Sequence, residues 1–199
     1  MGSDANRLRK KWQDYSGRNA GNAEHSFYET FNTLFQGTEY SVRREVIEFR
    51  DLCVNVQLTA QELSEIYTPK EPITRHGVNP DYAIANTETG KTIYVEVKRQ
   101  DGWVEGGTRA DGRGNAHERS CKFFTPGLQN RLRNQGSLAD NVLPFWVVFM
   151  GDITRDPCRV REIKLWYEGI PQHYFMWRNQ KNSNTIIEHF LNYIKPLID

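Results

Sequence analysis

The sequence is poor in cysteine, and its three cysteines exclude two classes of small, stabilised fold. Cys53, Cys121 and Cys158 are an odd number, lie far apart and show no metal-ligand spacing. They therefore support neither a disulfide framework nor a cysteine-based zinc site. We expect reduced thiols, mostly buried, in a cytosolic protein.

Long apolar runs are also missing. No stretch approaches the roughly 20 apolar residues that cross a membrane, and the first residues contain no apolar signal core. We therefore expect no membrane-spanning segment and a cytoplasmic location. The sequence contains no internal repeat either, which argues against a repeat array.

Neither charge is in large excess, because the formal net charge is only +1. This value alone argues weakly against a nucleic-acid-binding protein. The charge is uneven, however: residues 98–133 contain eight Lys or Arg and four Asp or Glu. Only the binding cleft, and not the whole surface, has to be positive for a polyanion to bind.

The length of 199 residues fits one domain and is ample for a core. We predict a single α/β domain over residues 1–199, with a mixed sheet of about five strands flanked by helices. Residues 1–20 are predicted to form an N-terminal arm with a basic helix from Arg7 to Tyr15, whose side chains would face solvent or contact backbone phosphate. Helices are also predicted over Asn22–Phe35, from a capping box at Thr59 to Tyr67, after Ala116, from Pro126 with Thr125 as its cap, and over Asn184–Leu197. Further strands are predicted over Leu143–Met150 and His173–Arg178.

Two strands and the turn between them carry the first candidate site. The run from Lys91 to Lys98 alternates β-branched residues with larger or charged ones, which predicts a strand. Side chains alternate between the faces of a strand, so Glu96 and Lys98 project from the same side. A short apolar run begins at Asp81, and turn-forming residues follow from Asn86 to Gly90. The predicted hairpin brings Asp81 beside Glu96 and Lys98.

These three side chains suit metal-dependent cleavage of a phosphodiester. Two carboxylates, Asp81 and Glu96, are the ligands that Mg²⁺ prefers together with water and substrate phosphate. Lys98 could orient the attacking water and stabilise the negative charge that develops. The alternative is that all three belong to the solvated polar face of a strand. Pro80-Asp81 followed by Glu96-Val97-Lys98 matches the short PD-(D/E)xK nuclease signature.

The second candidate segment reads Gly112-Arg113-Gly114-Asn115-Ala116-His117-Glu118-Arg119. With the PD-(D/E)xK residues before it, this segment resembles the MunI-like Type II restriction endonucleases, which form the EcoRI/MunI branch of the PD-(D/E)xK nuclease superfamily. The Gly-Asn-Ala-x-Glu-Arg core also occurs in EcoRI. The resemblance extends from about Gly77 to the C-terminus. It is carried further by Phe123–Leu128, Leu143–Phe149 and Gly151–Pro157.

The resemblance implies a restriction-endonuclease-like core and a Mg²⁺-dependent homodimer that cuts double-stranded DNA at a palindrome containing AATT. The catalytic and recognition parts both fall in residues 79–135. Asp81 and Glu96 would be the metal ligands, with Lys98 as the third catalytic residue. The resemblance also implies that the segment Gly114-Asn115-Ala116 lies in the major groove at a helix N-terminus. There an asparagine could pair with adenine N6 and N7. Asn115, Ala116, Glu118 and Arg119 would contact the inner bases, and Glu118 would orient Arg119.

The outer base pair depends on Arg113, which matches the MunI-like pattern and not the EcoRI one. CAATTG, cut after the first C to leave a four-base 5′ overhang, is therefore favoured over GAATTC. His117 is expected to contact DNA or the dimer partner. A bacterial host would also carry a cognate DNA methyltransferase, which is not a physical partner.

Three other interpretations remain open. A non-catalytic DNA-binding module has no need for Asp81, Glu96 and Lys98 together. A repair or junction-resolving nuclease could share the catalytic core without the recognition segment. Finally, Glu45 or Glu48 could complete the metal site, although a surface ion pair is the favoured role for both.

Overall fold

A five-stranded mixed sheet forms the centre of the protein. The computed structural model describes residues 25–101 and 117–199. The strands lie in the order β1-β2-β3-β4-β5, antiparallel from β1 to β3 and parallel from β3 to β5. This confirms the predicted α/β class and mixed sheet. The strands are β1 (Tyr40–Arg44), β2 (Tyr82–Asn86), β3 (Thr92–Arg99), β4 (Phe145–Met150) and β5 (Tyr174–Trp177).

Helices cover both faces of the sheet. Helix α1 comprises residues 25–34 within the part of the chain that the structure describes. The later α-helices are α2 (Ala60–Glu65), α3 (Pro126–Gln135), α4 (Pro157–Trp166), α5 (Asn184–His189) and α6 (Lys195–Ile198). Short 3₁₀ helices span Glu118–Phe124, Asp152–Thr154 and Pro171–His173, and a π-helical turn spans Phe190–Ile194.

The hairpin of β2 and β3 forms as its sequence predicts. The side chain of Asn86 accepts hydrogen bonds from the backbone N–H groups of Glu88 and Thr89, at 2.9 and 3.2 Å. Gly90 closes the turn with φ +72°, a conformation that glycine adopts without strain. The resulting register pairs Tyr82 with Val95. Asp81, the residue before Tyr82, is thereby placed at the level of Glu96.

Alternation along β3 sends its side chains into two different cores. Val95 and Val97 pack on one face with the aromatic side chains of α1 and with Trp146. Tyr94 packs on the other face with Phe123 and with residues of α3 and α4. Glu96 and Lys98 share the face of Tyr94 because side chains two positions apart point the same way. The candidate site thus lies on the face that carries the 3₁₀ helix Glu118–Phe124.

Several predicted elements differ in detail from the structure. Strand β1 was not predicted, because Arg43 and Arg44 gave its sequence a mixed, solvated character. The predicted helix over Asn184–Leu197 is interrupted by the π-helical turn. Thr125 does precede α3, but its hydroxyl donates to the carbonyl of Lys122 at 2.7 Å and does not cap the helix.

The cysteines are free thiols, but the prediction that they are mostly buried is wrong. Cys53 and Cys121 are exposed, and Cys158 is partly exposed. Cys121 lies on the open side of its 3₁₀ helix, where it contributes nothing to the core. Across residues 25–101 and 117–199, no helix is both long and apolar enough to cross a membrane.

Candidate active site

Asp81, Glu96 and Lys98 come together at the open end of the β2–β3 hairpin. The ammonium nitrogen of Lys98 lies 2.5 Å from Glu96 Oε1 and 3.9 Å from Asp81 Oδ2. Asp81 Oδ2 also accepts a hydrogen bond of 2.7 Å from the backbone N–H of Val97. The side chain of Asp81 is therefore fixed by the strand that carries the other two residues.

The three groups are too buried for an ordinary surface cluster. Relative to full exposure, the side chains of Glu96, Lys98 and Asp81 retain 4%, 17% and 23%. Removing charges from water is costly unless they are paired, so their position needs a compensating interaction. Lys98 supplies one positive charge for two carboxylates. Within the hairpin alone the two carboxylates are only half neutralised, which leaves room for a further positive charge from a cation or from another side chain.

The oxygen atoms of Glu96 support the same conclusion. Glu96 Oε2 is buried and has no hydrogen-bond partner among the described residues. A buried carboxylate oxygen without a partner is unfavourable, and a divalent cation bound beside Asp81 would satisfy it. Asp81 and Glu96 are only two ligands, and residues 25–101 and 117–199 contain no group of three or more His, Cys, Asp or Glu side chains that could hold a metal ion. The protein would therefore supply only part of the coordination shell. Water and substrate phosphate would complete the shell, an arrangement that suits Mg²⁺.

The two additional acids, Glu45 and Glu48, lie differently with respect to this site. The carboxylate of Glu48 forms a bidentate ion pair with Arg43, whose hydrogen bonds lower the pKa of Glu48. This is the expected surface pair. Glu45 has φ 54° and lines a cavity of about 450 Å³ together with Asp81. Only Glu45 thus borders the same space as a catalytic carboxylate.

Lys122, which sequence reasoning missed, also contacts the catalytic carboxylate. Its ammonium nitrogen lies 3.3 Å from Glu96 Oε1, the oxygen that Lys98 already contacts. Lys122 comes from the 3₁₀ helix Glu118–Phe124 and not from the hairpin. Its one signal in the sequence is the local excess of positive charge between residues 98 and 133.

Comparison with known proteins identifies the family. The family model described as Type II restriction enzyme MunI matches residues 1–199. The chain is 46% identical to the Type II restriction enzyme MunI of Mycoplasma sp. over 202 residues, which cover 100% of both chains. The chain belongs to the MunI family of Type II restriction enzymes. A crystal structure of MunI restriction endonuclease in complex with cognate DNA is also similar, with 46% identity and a TM-score of 0.79, and the match covers 94% of this chain and 97% of that one.

The recognition segment of this MunI family member is described only in its last three residues. Arg113, Gly114, Asn115 and Ala116 lie outside the described residues, as does the N-terminal arm over residues 1–20. Glu118 and Arg119 are both exposed at the beginning of a 3₁₀ helix. Within the described residues, the helix predicted after Ala116 is a 3₁₀ helix over Glu118–Phe124.

His117 differs from the expectation that its side chain contacts DNA or the dimer partner. The imidazole is fully buried and stacks on Trp166 of α4, with the ring centroids 5.1 Å apart and the planes 9° from parallel. Its Nε2 lies 2.9 Å from Glu162 Oε2, and Arg159 donates to the same oxygen at 2.6 Å. Burial lowers the pKa of His117, which keeps the ring neutral near pH 7. The side chain thus anchors the recognition segment to α4.

Glu162 is the partly exposed member of the cluster that it forms with His117 and Arg159. Partial burial alone would raise the pKa of Glu162, but hydrogen bonds from Arg159 and His117 lower it. The contact between His117 and Glu162 spans 45 residues of sequence. No local pattern in the recognition segment could have revealed it.

Proposed function

We propose that the chain is a Mg²⁺-dependent Type II restriction endonuclease that acts as a homodimer and hydrolyses double-stranded DNA at CAATTG. The observation that carries this proposal is the meeting of Asp81, Glu96 and Lys98 beside a buried carboxylate oxygen of Glu96 that has no hydrogen-bond partner in residues 25–101 and 117–199. A protein that only binds DNA does not need this arrangement, because two carboxylates repel phosphate. Membership of the MunI family supplies the reaction class.

The residues of the hairpin have distinct parts in the proposed reaction. Asp81 and Glu96 would hold Mg²⁺, which when bound activates water and offsets charge on the phosphate. The Val97 N–H keeps Asp81 in the orientation that faces Glu96. Lys98, already at the carboxylates, would orient the attacking water and stabilise the developing negative charge. The partial burial of all three side chains strengthens these electrostatic effects.

The proposed specificity follows from the recognition segment. Asn115, Ala116, Glu118 and Arg119 would contact the AATT bases. The exposed positions of Glu118 and Arg119 support this assignment. Arg113 would pair with the O6 and N7 acceptors of the outer guanine. A two-fold symmetric palindrome is naturally bound by a two-fold symmetric dimer, which supports a homodimer.

The nearest alternative is an endonuclease specific for GAATTC. It requires a different outer-base contact, and the stretch around Arg113 matches the MunI-like pattern. A cytoplasmic location in a bacterium, with a methyltransferase that protects the host sites, belongs to the same proposal. Direct association with that methyltransferase is not part of it.

The test is a digest of a plasmid that carries one CAATTG and one GAATTC site, in Mg²⁺ and in EDTA. The expected product in Mg²⁺ is a linear molecule opened at CAATTG after the first C, with a four-base 5′ overhang on sequencing. EDTA should leave the plasmid intact. Cleavage at GAATTC, or random nicking with the fold intact, would overturn the proposed specificity.

A further inference from the structure

Two lysine ammonium groups contact the same oxygen of Glu96, and only the Lys98 group belongs to the proposed catalytic residues. Lys98 Nζ lies 2.5 Å from Glu96 Oε1, and Lys122 Nζ lies 3.3 Å from the same atom. The catalytic role of a lysine at this position is already filled by Lys98. Lys122 therefore has a role other than that of the catalytic lysine.

The two lysines differ in how firmly they are held. The Lys98 side chain is 17% exposed and is enclosed by the hairpin, whereas the Lys122 side chain is 37% exposed. Lys122 reaches inward from the 3₁₀ helix, with its ammonium 5.1 Å from the centroid of the Phe123 ring. A long, half-exposed lysine at a contact of 3.3 Å can leave that contact at little cost. Lys122 is thus a removable partner of a buried carboxylate.

We propose that Lys122 is a positioning residue that links DNA binding to the metal site. In the DNA-free protein its ammonium neutralises Glu96 and opposes binding of a divalent cation there. A DNA phosphate at the cleft competes with Glu96 for the same ammonium and draws Lys122 away. The carboxylate then becomes available to the cation only when DNA is present. This inference rests on the proposed function, since it assumes that Asp81 and Glu96 hold the metal.

The position of Lys122 in the chain makes this link direct. It lies three residues after Arg119 on a 3₁₀ helix, where side chains three positions apart lie on the same side. The residue proposed to contact the bases and the residue that contacts Glu96 therefore belong to the same short element. Its start is fixed to α4 through His117. DNA that docks on Arg119 arrives beside Lys122.

The test is the affinity of the DNA-free protein for Mn²⁺, measured by electron paramagnetic resonance of the free ion. Lys122→Met should bind Mn²⁺ about tenfold more tightly than the wild type, because one positive charge beside the site is removed. Lys122→Arg keeps the charge and should behave like the wild type. Lys164→Met is the matched control, since it removes an exposed lysine of α4. If Lys122→Met and Lys164→Met bind Mn²⁺ equally, the inference is wrong.

Two further measurements make the result specific. Adding Asp81→Ala to Lys122→Met should abolish the gain in Mn²⁺ affinity, and a gain that persists would place the ion elsewhere. If Lys122→Met instead weakens binding to all DNA duplexes and leaves Mn²⁺ affinity unchanged, Lys122 is a phosphate contact only. The plasmid digest judges the proposed function separately, because Mn²⁺ binding to DNA-free protein does not depend on cleavage. Thermal unfolding of each variant verifies that it is folded.

Discussion

Arg119 is the described residue on which the proposed inner-base recognition would depend most directly. A guanidinium presents two donors in a fixed plane, which an ammonium does not reproduce. Arg119→Lys should therefore lose about 1–3 kcal/mol of discrimination per half-site between CAATTG and a duplex changed at the inner bases. Binding to both duplexes in Ca²⁺, together with the cleavage rate in Mg²⁺, measures this loss. Cleavage by Arg119→Lys at the wild-type rate would mean that the residue is only part of the scaffold.

Arg113 is the residue proposed to contact the outer base pair, and its substitution tests that contact separately from the inner-base contacts. A guanine contact, once removed in Arg113→Ala, should equalise affinity for CAATTG, GAATTC and TAATTA while non-specific affinity stays nearly unchanged. A phosphate contact would instead weaken binding to all three and make the salt dependence shallower by about one unit of slope. Binding in Ca²⁺ at several salt concentrations distinguishes the two. A uniform loss would mean that the outer-base contact comes from another residue between positions 101 and 111.

The site residues that could be predicted contact neighbours close in sequence, whereas those that were missed contact residues far away in sequence. Asp81, Glu96 and Lys98 lie on one hairpin, so alternation and a turn suffice to bring them together. Lys122 contacts Glu96 across 26 residues, and His117 contacts Glu162 across 45. Such contacts depend on how separate elements pack, which local spacing does not encode.

At the scale of elements, the 3₁₀ helix Glu118–Phe124 depends on α4 through the contact of His117 with Glu162. His117→Ala removes the stack on Trp166 and the hydrogen bond, and should lower the free energy of unfolding by about 2–4 kcal/mol. Glu162→Ala removes only the polar partners and should cost less, about 1–2 kcal/mol. Urea unfolding of the two variants measures both effects.

The double variant serves as the control for this pair. If the two side chains act together, the sum of the single effects should exceed the effect of the double variant by about 1 kcal/mol. Effects that add within about 0.3 kcal/mol would contradict the proposed anchoring. His173→Ala offers a comparison, because His173 is buried at Phe145 O, away from the recognition segment.

Element prediction failed where tertiary context overrides the local pattern. Among the described strands, β1 is an edge strand that pairs with β2, and the charged residues on its exposed face concealed it in the sequence. The C-terminal helix has the expected amphipathic spacing, but Pro196 has no backbone N–H to donate within it. The turn before that proline is π-helical over Phe190–Ile194. Loss of one regular hydrogen bond accounts for this local change in winding.

For the molecule as a whole, buried histidines predict loss of stability in mild acid. Burial lowers the pKa of His117 and His173, and it lowers the pKa of His189 to about 4. A depressed pKa in the folded state means that the unfolded chain binds protons first as the pH falls. The stability is therefore complete above about pH 6.5 and declines as the pH falls toward 4.

Urea unfolding between pH 4 and pH 8 tests this dependence. His189 stacks on Trp146 at 5.5 Å with an interplanar angle of 5°, so His189→Phe can keep the stack while removing the titrating group. The variant should lose less stability than the wild type between pH 6.5 and pH 4. An unchanged pH dependence in His189→Phe would show that other groups control acid unfolding.

The mixed α/β sheet was predictable because short apolar and alternating runs specify the inner strands of the sheet. β4 is buried at all six positions, as a fully apolar run indicates. The surface on which two copies would meet in the proposed homodimer is not specified by these runs. Apolar periodicity identifies the core faces of a chain, and it does not distinguish one exposed face from another.

The most direct test of the account is the single-turnover cleavage rate of Asp81→Ala on a CAATTG duplex. Asp81 faces Lys98 and Glu96, so its removal should lower the rate roughly a thousandfold or more. The fold should remain intact, and the duplex should still bind because one negative charge facing phosphate has been removed. Lys98→Ala should show a comparable loss of rate. Near-normal cleavage by either variant would contradict the assignment of Asp81, Glu96 and Lys98 as the catalytic centre.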